Sequence, residues 1–438
     1  MTKDRSIFTG DFKAAPYWWD AAPPEPYREP LPAQADVVIV GSGYCGLSAA
    51  IELARNGTDV VVLDAAEIGS GASTRSGGMV SSGQKLVVGG AIKGVPPDLF
   101  ERMIEDSIAS FQHIQDLIGV EKLDAELTIS GRFFGAHTPR AYDDLQRMGN
   151  VLHKKTGVTV HEVPHGRQRE VIGSDYYHGG IVIDEYGGLH PGKYHRALRD
   201  LAVSSGASLR SHARVRRLSR SGPGFAVDTS RGVIQASRVV VTTNGYTDES
   251  TPDLQRRVVP ARSYQIATEP LEPDLMAELI PGGRMISDTK RDLFYTRPSP
   301  DGTRVVFGTR PGIFEVSDEA AAGVLHSRMC EVWPQLAGRR ISHVWSGYVG
   351  MTFDKTAHMG ERDGIVHAVG CNGNGVALMT YLGHRTALKL LGRQNRPCAF
   401  DRESFPSHPL YRGKAWFLPV VGGWYRMRDR MDRLAAMI

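Results

Sequence analysis

The chain has 438 residues, a formal net charge of +4, 41% hydrophobic residues and four cysteines. At this length two domains are the default expectation. The Lys, Arg and His residues are scattered, with no basic run to track a nucleic-acid backbone, and no window of about 18 apolar residues is present to cross a membrane. Cys45, Cys330, Cys371 and Cys398 show no CxxC spacing. Reduced thiols in a cytoplasmic protein are therefore expected, with no disulfide framework and no metal site. The N-terminus has charges and prolines but no apolar core, so no signal peptide is expected.

In chain order, residues 1–35 read as a proline-rich arm. Its Tyr17, Trp18 and Trp19 should lie against the body, because exposed tryptophans are rare. From Asp36 the pattern is β-α-β. "DVVIV" is a continuous apolar run, as in a buried parallel strand. Leu47, Ala50, Ile51 and Ala54 then share one helical face. Asn56-Gly57 ends that helix, and "DVVVLD" is the second strand, closing at Asp64. Residues 96–156 read mainly as helices, followed by a strand near 179–188 and a helix over 190–205. "ARVRRLSR", "GFAVDTS" and "GVIQA" form a meander that leads into the apolar "RVVVTTNGY". A mixed strand region spans 256–316, and "GIVHAVGCNGNG" is a strand meeting a glycine loop, then a helix to about Leu391.

Three apolar strands near 36, 238 and 365 thus end in glycine or asparagine, and open α/β sheets bind ligands outside their strands' carboxyl ends. The expected fold class is mixed α/β: a Rossmann-like domain from 1–92, 188–255 and 345–400, and a discontinuous antiparallel-sheet substrate domain from 93–187 and 256–344. Residues 401–438 form a C-terminal tail.

Three glycine-rich turns carry the chemistry. In Gly41-x-Gly43-x-x-Gly46, with Tyr44 and Cys45 as the intervening pair, the glycines permit a tight turn, approach of a pyrophosphate and close helix packing. Asp64 follows Gly46 by 18 residues, where an acid accepts from a ribose. The second turn, "GSGASTRSGG", offers Ser73, Thr74, Arg75 and Ser76 to the pyrophosphate, and Gly77 and Gly78 leave room for a flat ring. A nicotinamide enzyme has no need of this second loop; a longer coenzyme does. The third turn places Gly373, Asn374, Gly375 and Val376 at a helix N-terminus, whose positive end would stabilise negative charge on a reduced flavin. Together they point to FAD.

In "VGSGYCGLSAAIELA", "GSGASTRSGG", "GGLHPGKY", "VVTTNGYT", "FYTRPSPDGTRVVFG", "WSGYVGMTFD" and "CNGNGV", taken in this order, the chain resembles the D-amino-acid-oxidase superfamily of FAD-dependent oxidoreductases. Within it the likeness is greatest to gamma-glutamylputrescine-oxidase-like amine oxidases. The resemblance implies an antiparallel sheet roofing the flavin, cofactor contacts at Asn244 and Gly245, and a backbone contact to adenine at Val215. It implies hydride transfer from the α-carbon of an amine to flavin N5, hydrolysis of the imine, and oxygen as acceptor. The alternative is an amino-acid oxidase or dehydrogenase of the glycine, sarcosine or D-amino-acid type, passing electrons to a quinone or other acceptor.

Glycine-oxidase-like members clamp the substrate carboxylate with an arginine in G-x-R-P-x-T-x-D. Here Thr352 and Asp354 remain, but Val349 and Gly350 take the Arg and Pro positions. An amine without an α-carboxylate is therefore expected. Arg297 is a substitute clamp, and Tyr348, His358, Tyr264, Tyr295 and His190 are candidate pocket walls. The segment before T-x-D has no cysteine, so noncovalent FAD is expected. In the tail, Trp424, Met427, Met431, Leu434, Ala435 and Ile438 share a helical face surrounded by arginines. This suits either packing on a protein surface or peripheral contact with an anionic membrane. Oligomeric state is not read from the sequence.

Overall fold

The computed structural model describes residues 7–435 except 84, 85, 88, 89, 91, 93 and 313. Ile438 of the tail lies outside them. Two sheets organise the chain. The first carries five parallel strands in the order Ser208–Arg210, Val60–Leu63, Gln34–Val40, Gly232–Val241, Ile365–Val369. Val38, Val61, Val62, Val239 and Val240 are all buried, as a parallel strand covered on both faces requires. The meander extends the sheet: Gly224–Thr229 pairs with the first half of Gly232–Val241, and Val215–Ser221 pairs with Gly224–Thr229. His358–Arg362 closes the other edge, antiparallel to Ile365–Val369.

Helix Tyr44–Arg55 packs against helix Ala377–Leu390. The approach is close: a Cβ on Gly383 would lie 2.2 Å from the Cys45 carbonyl. Ser48 Oγ donates to Thr380 O at 2.7 Å across the same contact. Helix Pro191–Ser204 flanks the other side of Tyr44–Arg55.

The second sheet has nine strands, in the order Phe8–Lys13, Ile341–Thr352, Val258–Thr268, Val305–Thr309, Tyr295–Pro298, Met285–Asp288, Arg132–Gly135, Gly180–Ile183, Val160–Val163. It is mixed, since Phe8–Lys13 runs parallel to Ile341–Thr352 and Met285–Asp288 parallel to Arg132–Gly135. Helix Asp318–Val332 backs it through Leu325, Met329 and Val332. Two expected boundaries move. The division at 345 falls inside the strand Ile341–Thr352, which pairs along its length with Val258–Thr268. Residues Phe8–Lys13 of the arm join this sheet as an edge strand, since the unpaired N–H and C=O groups of a sheet edge are a template for a further strand.

Candidate active site

The first glycine turn is built by close packing. A Cβ on Gly46 would stand 2.0 Å from the Gly41 carbonyl oxygen, and Gly41 itself has φ +106°. Thr242, at the end of the neighbouring strand, braces the turn by donating to the carbonyls of Val40 and Gly41 at 3.1 and 3.0 Å. Its apolar-strand context hid it in the sequence. Helix Tyr44–Arg55 starts at Gly43 without a side-chain cap, so its first-turn amides lack intrahelical partners. One of them, Tyr44 N–H, donates to Ser73 Oγ at 3.1 Å and ties the first glycine turn to the second. Cys45 is buried, and burial pushes its thiol well up. The Asp64 carboxylate accepts from Ser42 N, Ser42 Oγ and Ala66 N at 3.2, 2.5 and 3.0 Å. Burial raises its pKa while these hydrogen bonds lower it. Ala213 N–H donates to Asp64 O at 2.8 Å, which sets Val215 close by on the meander.

The second turn is held from the arm. Trp18, fully buried, donates Nε1 to Ser76 O at 2.9 Å, and Trp19 Nε1 donates to Thr74 Oγ1 at 2.9 Å. The nine-stranded sheet adds Gln265 Nε2 and Trp345 Nε1, both donating to Arg75 O. The Arg75 guanidinium donates to the carbonyls of Ser70 and Ser346 and lies 4.5 Å over Trp19. The structure thus gives Arg75 a bracing position, whereas the sequence suggested a phosphate donor. Gln265 Oε1 is buried beside Gly77 with no hydrogen-bond partner among the described residues.

In the third turn, Asn372 and Gly373 have φ of 48° and 80°. Gly373 is exposed, Asn374 and Gly375 are half-buried, and Val376 opens helix Ala377–Leu390 without a side-chain cap. Asn244 binds this turn through its side chain: Oδ1 accepts from the amides of Gly370 and Cys371 at 3.0 and 3.1 Å. It acts on the loop, and Gly245 allows the strand at Tyr348 to approach, where a Cβ would meet the Tyr348 carbonyl at 2.9 Å.

A cavity of about 1660 Å³ opens between the third turn and the nine-stranded sheet. Its wall includes Asn372, Met351, Phe353, Asp354 and Lys355 on one side and Arg132, Phe134, His137, Ser287, Asp288 and Lys290 on the other. Asp288 and Lys290 form a buried pair at 3.3 Å. Burial pushes the carboxyl up to about 6 and the ammonium down to about 8.

None of the six residues expected as pocket walls lines this cavity. Arg297 donates to the carbonyls of Gly77, Leu189 and Pro298, locking the second turn to the strand beside it. His190 caps helix Pro191–Ser204 by accepting from Lys193 N–H at 3.1 Å and meets Trp18 edge-on. Burial holds its imidazole down at about 4. His358 stacks on Phe405 at 3.8 Å and pairs with Asp354 at 3.0 Å. Tyr264 donates to Val316 O, on the side of the sheet covered by helix Asp318–Val332. Tyr348 donates to Glu315. Tyr295 contacts Ser263 Oγ at 2.9 Å, and its ring packs over Gly308, with its edge beside Gly77. Alternation along a strand does not say which face meets the cavity.

The tail supplies part of the wall through Arg428, Asp432 and Ala435. Helix Leu418–Ala435 docks by its polar side. Asp429, 7% exposed, accepts from Arg291 Nη1 at 2.8 Å and Asp292 N at 3.0 Å, and Arg426 donates to Asp292 at 2.8 Å. Its apolar stripe faces outward, with Trp424, Met427, Met431 and Leu434 all 47–56% exposed.

A parallel sheet bearing glycine turns at its carboxyl ends, beside a second sheet that walls a large cavity, is the layout of a dinucleotide-dependent oxidoreductase. Residues 36–388 match the family described as DAO, FAD dependent oxidoreductase. The chain belongs to this family and is an FAD-dependent oxidoreductase. It is 30% identical over 426 residues to the probable oxidoreductase OrdL of Rhizobium meliloti, covering 94% of this chain and 97% of that one. To the gamma-glutamylputrescine oxidoreductase of Escherichia coli it is 27% identical over 406 residues, covering 90% and 93%. The crystal structure of glycine oxidase from Geobacillus kaustophilus superposes with a TM-score of 0.68 at 22% identity, covering 87% of this chain and 99% of that one, and shares the fold. No helix among the described residues is long and apolar enough to cross a membrane.

Proposed function

We propose that this chain oxidises the C–N bond of a small amine within the 1660 Å³ cavity, using noncovalently bound FAD. The observation that carries the reading is one cavity that reaches from Asn372 of the third turn to the nine-stranded sheet. Relatives named for gamma-glutamylputrescine and for glycine support an amine as substrate. The residues present fit the coenzyme. Two uncapped helix N-termini, at Gly43 and Val376, offer amides to anionic groups. The orphaned Gln265 Oε1 beside Gly77 calls for a donor.

In this reading the parallel sheet is the cofactor domain and the nine-stranded sheet the substrate domain. Gly41, Gly43 and Gly46 serve the pyrophosphate, Asp64 the ribose, and the Val215 backbone the adenine. Ser73, Ser76, Gly77 and Gly78 lie along the coenzyme, and Gly373, Asn374, Gly375 and Val376 meet its pyrimidine edge. Bound FAD supplies a hydride acceptor. The protein supplies position: Met351, Phe353 and Phe134 give the cavity an apolar stretch of wall against which the carbon skeleton of the amine would rest. The test is product analysis. Purified protein given amines in air should yield a carbonyl compound, ammonia or an amine fragment, and hydrogen peroxide. Carbonyl product without peroxide would keep amine oxidation and replace oxygen by another acceptor.

The tail favours a peripheral contact with anionic lipid. Exposed Trp416, Trp424 and Met431 sit among exposed Arg412, Lys414, Arg428 and Arg430, while Asp429 and Asp432 turn inward to Arg291. Each such basic residue contributes about 1 kcal/mol at an anionic surface. Co-sedimentation with phosphatidylglycerol vesicles but not with phosphatidylcholine vesicles is expected. Equal recovery in both supernatants rejects the contact. Cytoplasmic residence fits the four free cysteines.

A further inference from the structure

Arg132 opens the strand Arg132–Gly135 and is 9% exposed. Its Nε donates to Ser287 Oγ at 2.9 Å, and its Cζ lies 4.6 Å over the Phe134 ring. Neither terminal nitrogen donates to a protein acceptor among the described residues. This sets it apart from the other buried arginines. Arg199 pairs with Glu25 and Asp200, Arg402 pairs with Asp354, Arg297 donates to three carbonyls, and Arg385 donates to Tyr381 Oη and Arg396 O.

The acids along the same cavity do not neutralise Arg132, because each has its own cation. Asp288 pairs with Lys290, Asp354 with Arg402, Asp432 with Arg291 and Asp144 with Arg147. The other cations of the wall with no ion pair among the described residues, Arg140, Lys355 and Arg428, are exposed. Leaving a buried guanidinium uncompensated costs several kcal/mol. Burial depresses its pKa to about 10, with no neighbouring carboxylate to offset this. With Nε already engaged, the two terminal nitrogens present the parallel pair of N–H donors that fits a planar carboxylate.

We propose that Arg132 anchors a carboxylate carried by the substrate, so that the amines oxidised here bear an acid group. The inference rests on amine oxidation as the chemistry, and it places the clamp on the substrate sheet at a position where the sequence offered no motif. The Phe134 ring beneath the guanidinium fixes its plane and keeps water from one face. The amine end then extends toward Asn372 across the same cavity.

The test compares the FAD-loaded wild type with Arg132→Met and Arg132→Lys, using the pairs glycine and methylamine, sarcosine and dimethylamine, β-alanine and ethylamine. The preference in kcat/KM for the carboxylated partner should fall roughly 10- to 150-fold in Arg132→Met, carried mainly by KM, since a hydrogen-bonded charge contributes about 1.5–3 kcal/mol. Arg132→Lys should recover part of it. Calorimetric titration with acetate and propionate should show binding to wild type and none to Arg132→Met, with circular dichroism confirming that the variant is folded. An unchanged preference, or equal carboxylate binding by the folded variant, overturns the proposal. So does phosphate competing as well as carboxylate, which makes the site a general anion site. If no amine reacts, the functional reading falls, and the titration still decides the role of Arg132. Should Arg132→Met not fold, the same two measurements on Arg132→Lys decide it.

Discussion

Gly46 is the position where the cofactor turn tolerates least. The Cβ of Gly46→Ala would lie 2.0 Å from the Gly41 carbonyl oxygen and 2.9 Å from Thr242 Oγ1, about 1.4 Å short of ordinary contact with the carbonyl. The carbonyl belongs to the main chain of the turn and Thr242 is itself bonded to it, so neither yields by rotating a side chain. Helix Tyr44–Arg55 must therefore move away from the turn that would hold the pyrophosphate. Overpacking of this kind costs about 1–3 kcal/mol, and if it falls on the bound form, FAD affinity drops roughly 5- to 150-fold. The assay is fluorescence titration of the apoprotein with FAD, with Gly119→Ala as control because a Cβ there meets nothing within 4 Å. A folded Gly46→Ala protein that binds FAD as tightly as wild type refutes the reasoning.

Trp18→Ala removes a fully buried ring and leaves Ser76 O unpaired; a loss of about 3–5 kcal/mol is expected by denaturant titration, together with weaker flavin retention. His190 and His195 are held down to about 4 by burial. The folded state therefore binds fewer protons than the unfolded one below their ordinary value of 6.5. Their contribution is complete above that pH and is lost as pH falls through about 4. A stability that stays flat on acidification across that window contradicts the assignment. For Asp288 and Lys290 the signs oppose. Stability should fall as pH rises from 3.8 to about 6, where the folded carboxyl keeps its proton, and rise from about 8 to 10.5, where the folded ammonium has lost its own. The double variant Asp288→Asn, Lys290→Met should lose both slopes. Asp429→Ala leaves the Asp292 amide without its acceptor and Arg291 with Asp432 alone, so the tail should be held less firmly at the cavity; faster proteolysis of the tail and a raised KM are expected.

The glycine turns were legible because their constraints are local: a strand, a sharp turn and a helix start follow one another in the chain. Residues that act from a distance were not. Thr242 braces the first turn from another strand, and Trp18 holds the second from the arm. The substrate wall was the least legible part. Arg132, Asn372 and Arg428 meet only through the folded sheets, and a strand's alternation names two faces without saying which one meets a cavity. Tyr264 and Tyr348 fell on the other side for that reason. The tail's amphipathic pattern was plain, but the docking side was not. Pairing with Arg291 and Asp292 made the charged side the inner one. The family pattern at Val349 and Gly350 showed that the usual clamp was absent, while the unpaired guanidinium at Arg132 has no sequence signature at all.

Amine oxidation by the bound coenzyme is tested most directly by anaerobic mixing of the purified yellow protein with amines, following the visible flavin band. The account predicts that an amine bleaches the band in a single turnover and that admitting an acceptor restores it. A flavin that stays oxidised with every amine, carboxylated or not, contradicts it.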